Sequence, residues 1–87
     1  MNNHQIISKR MIDVNHCLAE LARRKLTITD IKISDTKKPR ITIVGFSSTP
    51  GGLKGGTLTR IRIHQKRFET YATELNGCQV EWKVAAN

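Results

Sequence analysis

The chain has 87 residues, of which 38% are hydrophobic and 5% aromatic, and it carries a formal net charge of +8. This length gives room for one domain with a small, mostly aliphatic core, which we expect to span residues 1–87. A large enzyme is excluded, and so is a transmembrane helix, because no window approaches the ~18 consecutive apolar residues that such a helix needs.

The cellular compartment can be predicted from the first residues and from the cysteines. Residues 1–10 lack the order of a secretory signal, because their basic pair follows the apolar pair instead of preceding it. Cys17 and Cys78 are fewer than the cysteines of a typical disulfide-rich secreted domain. We therefore expect a cytoplasmic protein with two small, partly buried thiols, and a disulfide between them is the alternative.

Residues 4–26 are predicted to form a helix. Apolar side chains recur at steps of three and four, which places them on one stripe: Ile7, Met11, Val14, Leu18 and Leu21. Either Asn2 or Asn3 can cap the N-terminus by accepting a backbone N–H. No glycine follows the last turn, so the helix is expected to end where the β-branched run 27–29 favours a strand.

Two strands are predicted next, over residues 28–34 and 40–46. In both segments isoleucines alternate with polar side chains, as expected for a strand that buries one face. The connection between them begins with the turn-forming Asp35 and ends with Pro39, which interrupts a strand. This pattern predicts a hairpin with a five-residue loop.

Residues 47–66 are predicted to form a flexible basic loop. Four of the six glycines lie within residues 47–57, and such a segment loses much entropy on ordering while burying little. Residues 58–66 allow two interpretations, because Leu58, Ile61 and Ile63 alternate with cations as in a strand, whereas the density of charge favours a solvated chain. We expect an extended basic segment that joins the sheet only at its end.

Asn76-Gly77 is the strongest short signature of a two-residue type I′ hairpin turn. Its strands are predicted over residues 67–75 and 78–84. Counting from the turn predicts that one face pairs Leu75 with Cys78, Thr73 with Val80, and Tyr71 with Trp82. The sequence as a whole predicts an α+β fold, with the N-terminal helix packed on a four-stranded, mainly antiparallel sheet and a long Gly-rich basic loop.

The segment Gly77-Cys78-Gln79-Val80-Glu81-Trp82 resembles the terminal hairpin of a group of small basic proteins encoded in bacteriophages and prophages of proteobacteria. These proteins share an N-terminal helix, a strand like Ile28 to Ile33, and an isoleucine strand entered through Pro39-Arg40-Ile41. The resemblance implies a phage context within a bacterial host cell. The group has no settled activity, so the resemblance assigns no functional residue.

No catalytic or metal site is predicted. The histidines and cysteines lack the spacings of zinc ligands, and the carboxylates are scattered along the chain. Lys54 precedes the last glycines of its segment, whereas a phosphate-binding loop places the lysine directly after them. We therefore expect a protein that is not an enzyme and that needs no metal and no cofactor.

Positive charge is concentrated in one part of the chain. The 33 residues between Asp35 and Glu69 contain no acid. Eight cations lie there and equal the whole net charge: Lys37, Lys38, Arg40, Lys54, Arg60, Arg62, Lys66 and Arg67. A localised basic surface is typical of a protein whose ligand is a phosphate backbone.

Aromatic side chains that could stack on bases are few, because Tyr71 and Trp82 are assigned to the core and only Phe46 and Phe68 remain. We therefore predict binding of nucleic acid, DNA or RNA, mainly by phosphate contacts with low sequence specificity. The predicted contact residues are Arg60, Arg62, Lys66, Arg67, Lys54, Lys37 and Lys38.

Two other functions compete with this prediction. In the first, the protein is a binding module that inhibits or modulates a host enzyme or defence complex, and the same cations meet an acidic surface of a host protein. In the second, the protein is an assembly factor and associates with itself. Neither membrane binding nor a particular oligomeric state is predicted.

Overall fold

A computed structural model describes residues 2–63 and 66–86. One helix precedes five strands in this part of the chain. They are α1 (Asn3–Arg23), β1 (Ile28–Lys32), β2 (Arg40–Ile43), β3 (Gly56–Ile63), β4 (Lys66–Leu75) and β5 (Cys78–Ala86). The strands form one sheet in the order β1-β2-β5-β4-β3. The predicted α+β class is confirmed, and the sheet has five strands instead of the predicted four.

The additional strand is β3, which lies in the segment predicted as a loop over 47–66. It pairs with β4 in antiparallel orientation. Threonine and isoleucine at alternate positions favour a strand here, and a strand at the edge of a sheet keeps its cationic side chains in water. The charge of this segment therefore does not oppose pairing. The segment before β3 is anchored to the rest of the protein, because the side chains of Pro50 and Leu53 are buried.

The helix begins and ends with backbone caps. Asn2 and Gln5 form a capping box, in which each side chain accepts a hydrogen bond from the other residue's backbone N–H. At the other end, the N–H of Leu26 donates to the carbonyl of Leu21 at 3.0 Å, and Lys25 adopts a left-handed φ of 59°. This Schellman arrangement ends α1 at Arg23, three residues before the predicted end at 26.

The terminal hairpin has the predicted register. The turn residues Asn76 and Gly77 both have positive φ, at 50° and 80°. The predicted pairs are all present: Leu75 with Cys78, Thr73 with Val80, and Tyr71 with Trp82. On its other side β5 pairs with β2 in parallel orientation. This single parallel pair makes the sheet mixed and places β5 at its centre.

Gly77→Val is expected to lower the free energy of unfolding by about 1–3 kcal/mol, because a β-branched residue is strained at positive φ. A Cβ at this position would also lie 3.1 Å from Oδ2 of Asp13. Chemical unfolding followed by circular dichroism measures the change. Gly56→Val is the matched control, since a Cβ there meets nothing within 4 Å. An equal effect of the two substitutions would contradict the turn.

The core lies between α1 and the strands β2 and β5. Its buried residues are Val14, Cys17 and Leu21 of the helix, Ile41 and Ile43 of β2, Cys78, Val80 and Trp82 of β5, and Leu53. Met11, predicted on the buried stripe, is 52% exposed, because the helix turns Cys17 towards β5 instead.

Trp82 connects the core to the segment that leads into β3. Its indole ring is fully buried and stacks on Tyr71, with the ring centroids 5.9 Å apart. The Nε1–H group donates to the carbonyl of Ser47 at 3.1 Å. The backbone also approaches the ring closely, since a Cβ at Gly45 would lie 2.7 Å from Cδ1 and one at Gly55 would lie 3.0 Å from Cη2. Trp82 therefore holds both ends of the segment 45–55.

Candidate nucleic-acid interface

Four of the predicted contact residues lie together on the hairpin formed by β3 and β4. We define the arm as residues 60–63 of β3 and 66–69 of β4. Its cross-strand pairs are Arg60 with Glu69, Ile61 with Phe68, Arg62 with Arg67, and Ile63 with Lys66. The arm thus brings Arg60, Arg62, Lys66 and Arg67 within two neighbouring strands.

The arm carries an excess of positive charge at its outer part. Arg62 lies directly opposite Arg67, and like charges in this relation repel. Among the residues that the structure describes, no carboxylate forms an ion pair with Arg62, Lys66 or Arg67. The positive charge of this part of the arm is therefore not offset by any described carboxylate and can attract an anion.

Glu69 restrains the inner cation of the arm. Its Oε1 lies 3.5 Å from Nε of Arg60, and its Oε2 accepts a hydrogen bond of 2.6 Å from the hydroxyl of Tyr71. The hydrogen bond to Glu69 raises the pKa of Tyr71 above its ordinary value. Sequence reasoning assigned Glu69 no role. The available signal was its position two residues before Tyr71, which places both side chains on one face of a strand.

The two faces of the arm differ in chemistry. Arg60, Arg62 and Arg67 follow the register of Tyr71 and Trp82 and lie on the side of the sheet that faces α1, whereas Ile61 and Phe68 lie on the opposite side. These residues and Glu69 line a shallow concavity of about 320 Å³. The arm therefore offers guanidinium groups on one face, and an apolar pair together with Lys66 on the other.

Lys37 and Lys38 do not join the arm. Lys38 pairs with Glu74, with 2.9 Å between Nζ and Oε1, and Glu74 lies eight residues along β4 from Lys66. At ~3.3 Å per residue this separation is about 26 Å. Lys54 is exposed and lies two residues before β3, whose first residue pairs with Ala72. The predicted contact residues therefore form two separate groups, and Lys54 lies outside the arm.

The second group contains cations that sequence reasoning left out. Lys37 and Lys38 line a small concavity of about 210 Å³ together with Lys32 and Arg40. Arg40 pairs with Glu81, at 3.5 Å between Nε and Oε1, and Lys38 pairs with Glu74. Acidic partners therefore neutralise half of this group, and the arm is the stronger candidate for an anionic ligand.

The described residues form neither a metal-binding cluster nor a membrane-spanning helix. Within residues 2–63 and 66–86, no three side chains of His, Cys, Asp or Glu converge in a way that could hold a metal ion. Over these ranges α1 is too polar to cross a membrane, and no helix has the required combination of length and apolar character.

The two thiols are free and buried against each other. Burial first, and then the neighbouring Cys78, raise the pKa of the Cys17 thiol to about 12. Burial also raises the pKa of Cys78. Since the thiolate is the nucleophile and the metal ligand, neither group is poised for catalysis at neutral pH.

The fold is expected to lose stability as the pH rises above 9, because the Cys17 thiol ionises more readily in the unfolded chain than in the folded one. Its pKa rises from 9.0 to about 12 on folding, so its contribution to stability is complete below pH 9 and is lost as the pH rises towards 12. Thermal melts between pH 8 and 11 measure this loss, and Cys17→Ala should show a shallower dependence. Rapid labelling of both thiols in the folded protein at pH 8 would contradict their burial.

Comparison with protein-family models gives no match, and no curated protein and no solved structure matches the chain. No role in the arm can therefore be transferred from a relative. The function proposed below depends on the geometry and charge of the arm.

Proposed function

We propose that this protein binds nucleic acid through the arm, mainly by contacts between its cations and phosphate oxygens and with low sequence specificity. The Arg62–Arg67 pair carries the proposal. Two like charges directly opposite each other on neighbouring strands destabilise a sheet. A phosphate that accepts hydrogen bonds from both guanidinium groups removes this repulsion, so the arrangement suits the bound state better than the free one.

The shape of the molecule supports this ligand. The extents along its principal axes are 46, 26 and 19 Å, so the molecule is elongated. None of the β3 side chains that the structure describes is buried, which leaves the cationic edge open. In the arm β4 is paired with β3 on one side and with β5 on the other, so the cations lie at the edge of a sheet, along which a nucleic-acid backbone can be laid.

The chemistry of the arm favours contacts to the backbone over the reading of bases. Arginine presents a planar fork that binds phosphate through two parallel hydrogen bonds. Arg60 is held by Glu69 and Lys66 lies on the other face of the sheet, so we expect Arg62 and Arg67 to provide the principal contacts and the other two cations to add to them. A ligand bound to the arm can also contact Lys37 and Lys38 only if it extends about 26 Å along the sheet, as calculated from the rise per residue of a strand.

A salt titration tests the proposal. The protein is titrated with two unrelated DNA duplexes, a DNA single strand and an RNA, each at several salt concentrations. We expect similar affinities for the unrelated duplexes and a steep loss of affinity with salt, because phosphate contacts release counterions and read no sequence. Absence of binding to all four ligands at low salt would contradict the proposed function.

A second candidate is a protein-binding module for an acidic surface, and one observation favours it. β3 is the last strand of the sheet, so no strand within the described residues pairs with its outer edge. An acidic segment of another protein can add to such an edge as a further strand. A pull-down from bacterial lysate, with and without nuclease, distinguishes the candidates, since a partner that is retained after nuclease treatment supports the second one. The phage context implied by the terminal hairpin stays a prediction.

A further inference from the structure

One aromatic side chain is exposed in a way that the arm does not explain. Phe46 is 91% exposed, whereas the other large hydrophobic side chains described as exposed range from 36% to 56%. It follows β2 and belongs to no helix or strand. A phenylalanine in this position contributes little to the core. A single exposed apolar side chain is common on protein surfaces, so a role for this one depends on how its backbone is held and on what surrounds the ring.

The backbone around Phe46 is held on both sides. Before it, the N–H of Val44 donates to the carbonyl of Thr27 at 2.9 Å, and Gly45 packs directly on the ring of Trp82. After it, the carbonyl of Ser47 accepts the hydrogen bond from the indole of Trp82. The ring of Phe46 is therefore presented from an anchored segment, which lowers the entropy lost when a ligand stacks on it.

The surroundings of Phe46 suit a flat group that carries negative charge nearby. The ring borders a shallow concavity of about 260 Å³ whose other walls include Leu26 and Pro50. Lys25 lies on the same rim and is exposed. An apolar platform beside a cation can take a nucleobase on the ring and a phosphate on the ammonium group.

Phe46 and the arm are linked along the side of the sheet that faces α1. Ser47 bonds to Trp82, Trp82 stacks on Tyr71, and β4 then continues from Tyr71 to Arg67. The last step alone spans four residues, or roughly 13 Å at ~3.3 Å per residue. The steps from Phe46 to Tyr71 add to this distance, so a single strand that contacts both the arm and Phe46 must be several nucleotides long.

We infer that Phe46 is a stacking platform for an unpaired base and that the ligand of the arm is single-stranded nucleic acid. This inference rests on the proposed function and names its ligand class. Bases in a duplex are stacked on each other and present only their edges, so they cannot lie on the ring. Phe46 thus distinguishes single strands from duplexes, whereas the arm attracts both.

Fluorescence anisotropy with labelled oligothymidylate, alone or annealed to oligoadenylate, tests the inference. Phe46→Ala is expected to weaken binding of the single strand about 5- to 150-fold, as is usual when one base loses its stacking partner. Binding of the duplex and the slope of log affinity against log salt stay unchanged, because stacking releases no counterions. Phe46→Leu, which keeps an apolar side chain, should behave like the alanine variant, and Phe46→Trp should retain affinity.

The tryptophan variant provides a second measurement. Trp82 is the only tryptophan of the chain and is fully buried, so a new indole at position 46 reports directly on this site. We expect the single strand, and not the duplex, to quench its fluorescence. The variants should melt at the temperature of the unchanged protein, because an exposed side chain contributes little to stability.

These measurements distinguish a failure of the inference about Phe46 from a failure of the proposed function. Equal affinity of the Phe46→Ala variant and the unchanged protein for the single strand would overturn the inference and leave the proposed function standing. Full retention by Phe46→Leu would also overturn it, because an apolar contact would then replace stacking. If the unchanged protein binds neither ligand at low salt, the proposed function fails and the inference fails with it.

Discussion

Replacement of the four arm cations by glutamine is expected to flatten the slope of log affinity against log salt by about 3 to 4 for duplex DNA. The substitutions are Arg60→Gln, Arg62→Gln, Lys66→Gln and Arg67→Gln. Each cation that contacts a phosphate releases about one counterion on binding, so the slope counts the contacts directly. Affinity should fall by a similar factor for unrelated sequences, because contacts to the backbone carry no base information. Anisotropy titrations at several salt concentrations measure both quantities.

A matched pair of double variants separates the arm from net charge. Arg62→Gln with Arg67→Gln and Lys37→Gln with Lys38→Gln each remove two charges. The first pair should flatten the slope by about 2 and the second by less than 1, because only the first lies in the arm. The first pair should also melt at the same or a higher temperature, since it removes a repulsion between neighbouring strands. Equal slopes for the two double variants would show that binding follows net charge alone.

Trp82→Ala is expected to produce the largest loss of stability of any single substitution considered, about 3–5 kcal/mol. The ring is fully buried, stacks on Tyr71 and hydrogen-bonds to Ser47. A small domain has a total free energy of unfolding of only about 5–15 kcal/mol, so this variant should be partly unfolded near body temperature. Urea unfolding followed by far-ultraviolet circular dichroism measures the loss.

Trp82→Phe is the control for this substitution. It keeps an aromatic ring against Tyr71 and removes the N–H that binds Ser47, so we expect a smaller loss of about 1–2 kcal/mol. The position of Phe46 depends on the same hydrogen bond. The control variant should therefore also weaken single-strand binding slightly. A thermal midpoint of Trp82→Ala within a few degrees of the unchanged protein would contradict the central place of this ring.

The parts of the fold that could be predicted are those set by neighbouring residues. The Asn76-Gly77 turn fixes the register of β4 on β5 within the hairpin itself, and the α1 stripe follows from local periodicity. The parallel pairing of β2 with β5 joins segments that are far apart in sequence, and no local pattern encodes it. β3 was missed because its cations were taken to oppose pairing, whereas a strand at the edge of a sheet keeps them solvated.

The candidate site could be predicted in composition and not in arrangement. The run of residues without acids identified every cation of the arm. The separation of Lys37 and Lys38 from the arm follows from the length of β4. Lys66 lies near one end of this strand, and Glu74, the partner of Lys38, lies near the other. The exposure of Phe46 depends on the contacts of Gly45 and Ser47 with Trp82, which are tertiary contacts. Charge is a property of the sequence, whereas distance and exposure are properties of the fold.

The central position of β5 determines when the protein can fold during synthesis. β5 follows both of its sheet partners along the chain, yet it lies between them in space. Until its residues leave the ribosome, β2 has no strand on its inner side and α1 has no surface on which to bury Cys17 and Leu21. The growing chain therefore exposes apolar surface until β5 emerges, and folding waits for contacts of long sequence separation. We expect nascent chains that stop before Cys78 to be digested readily by proteases.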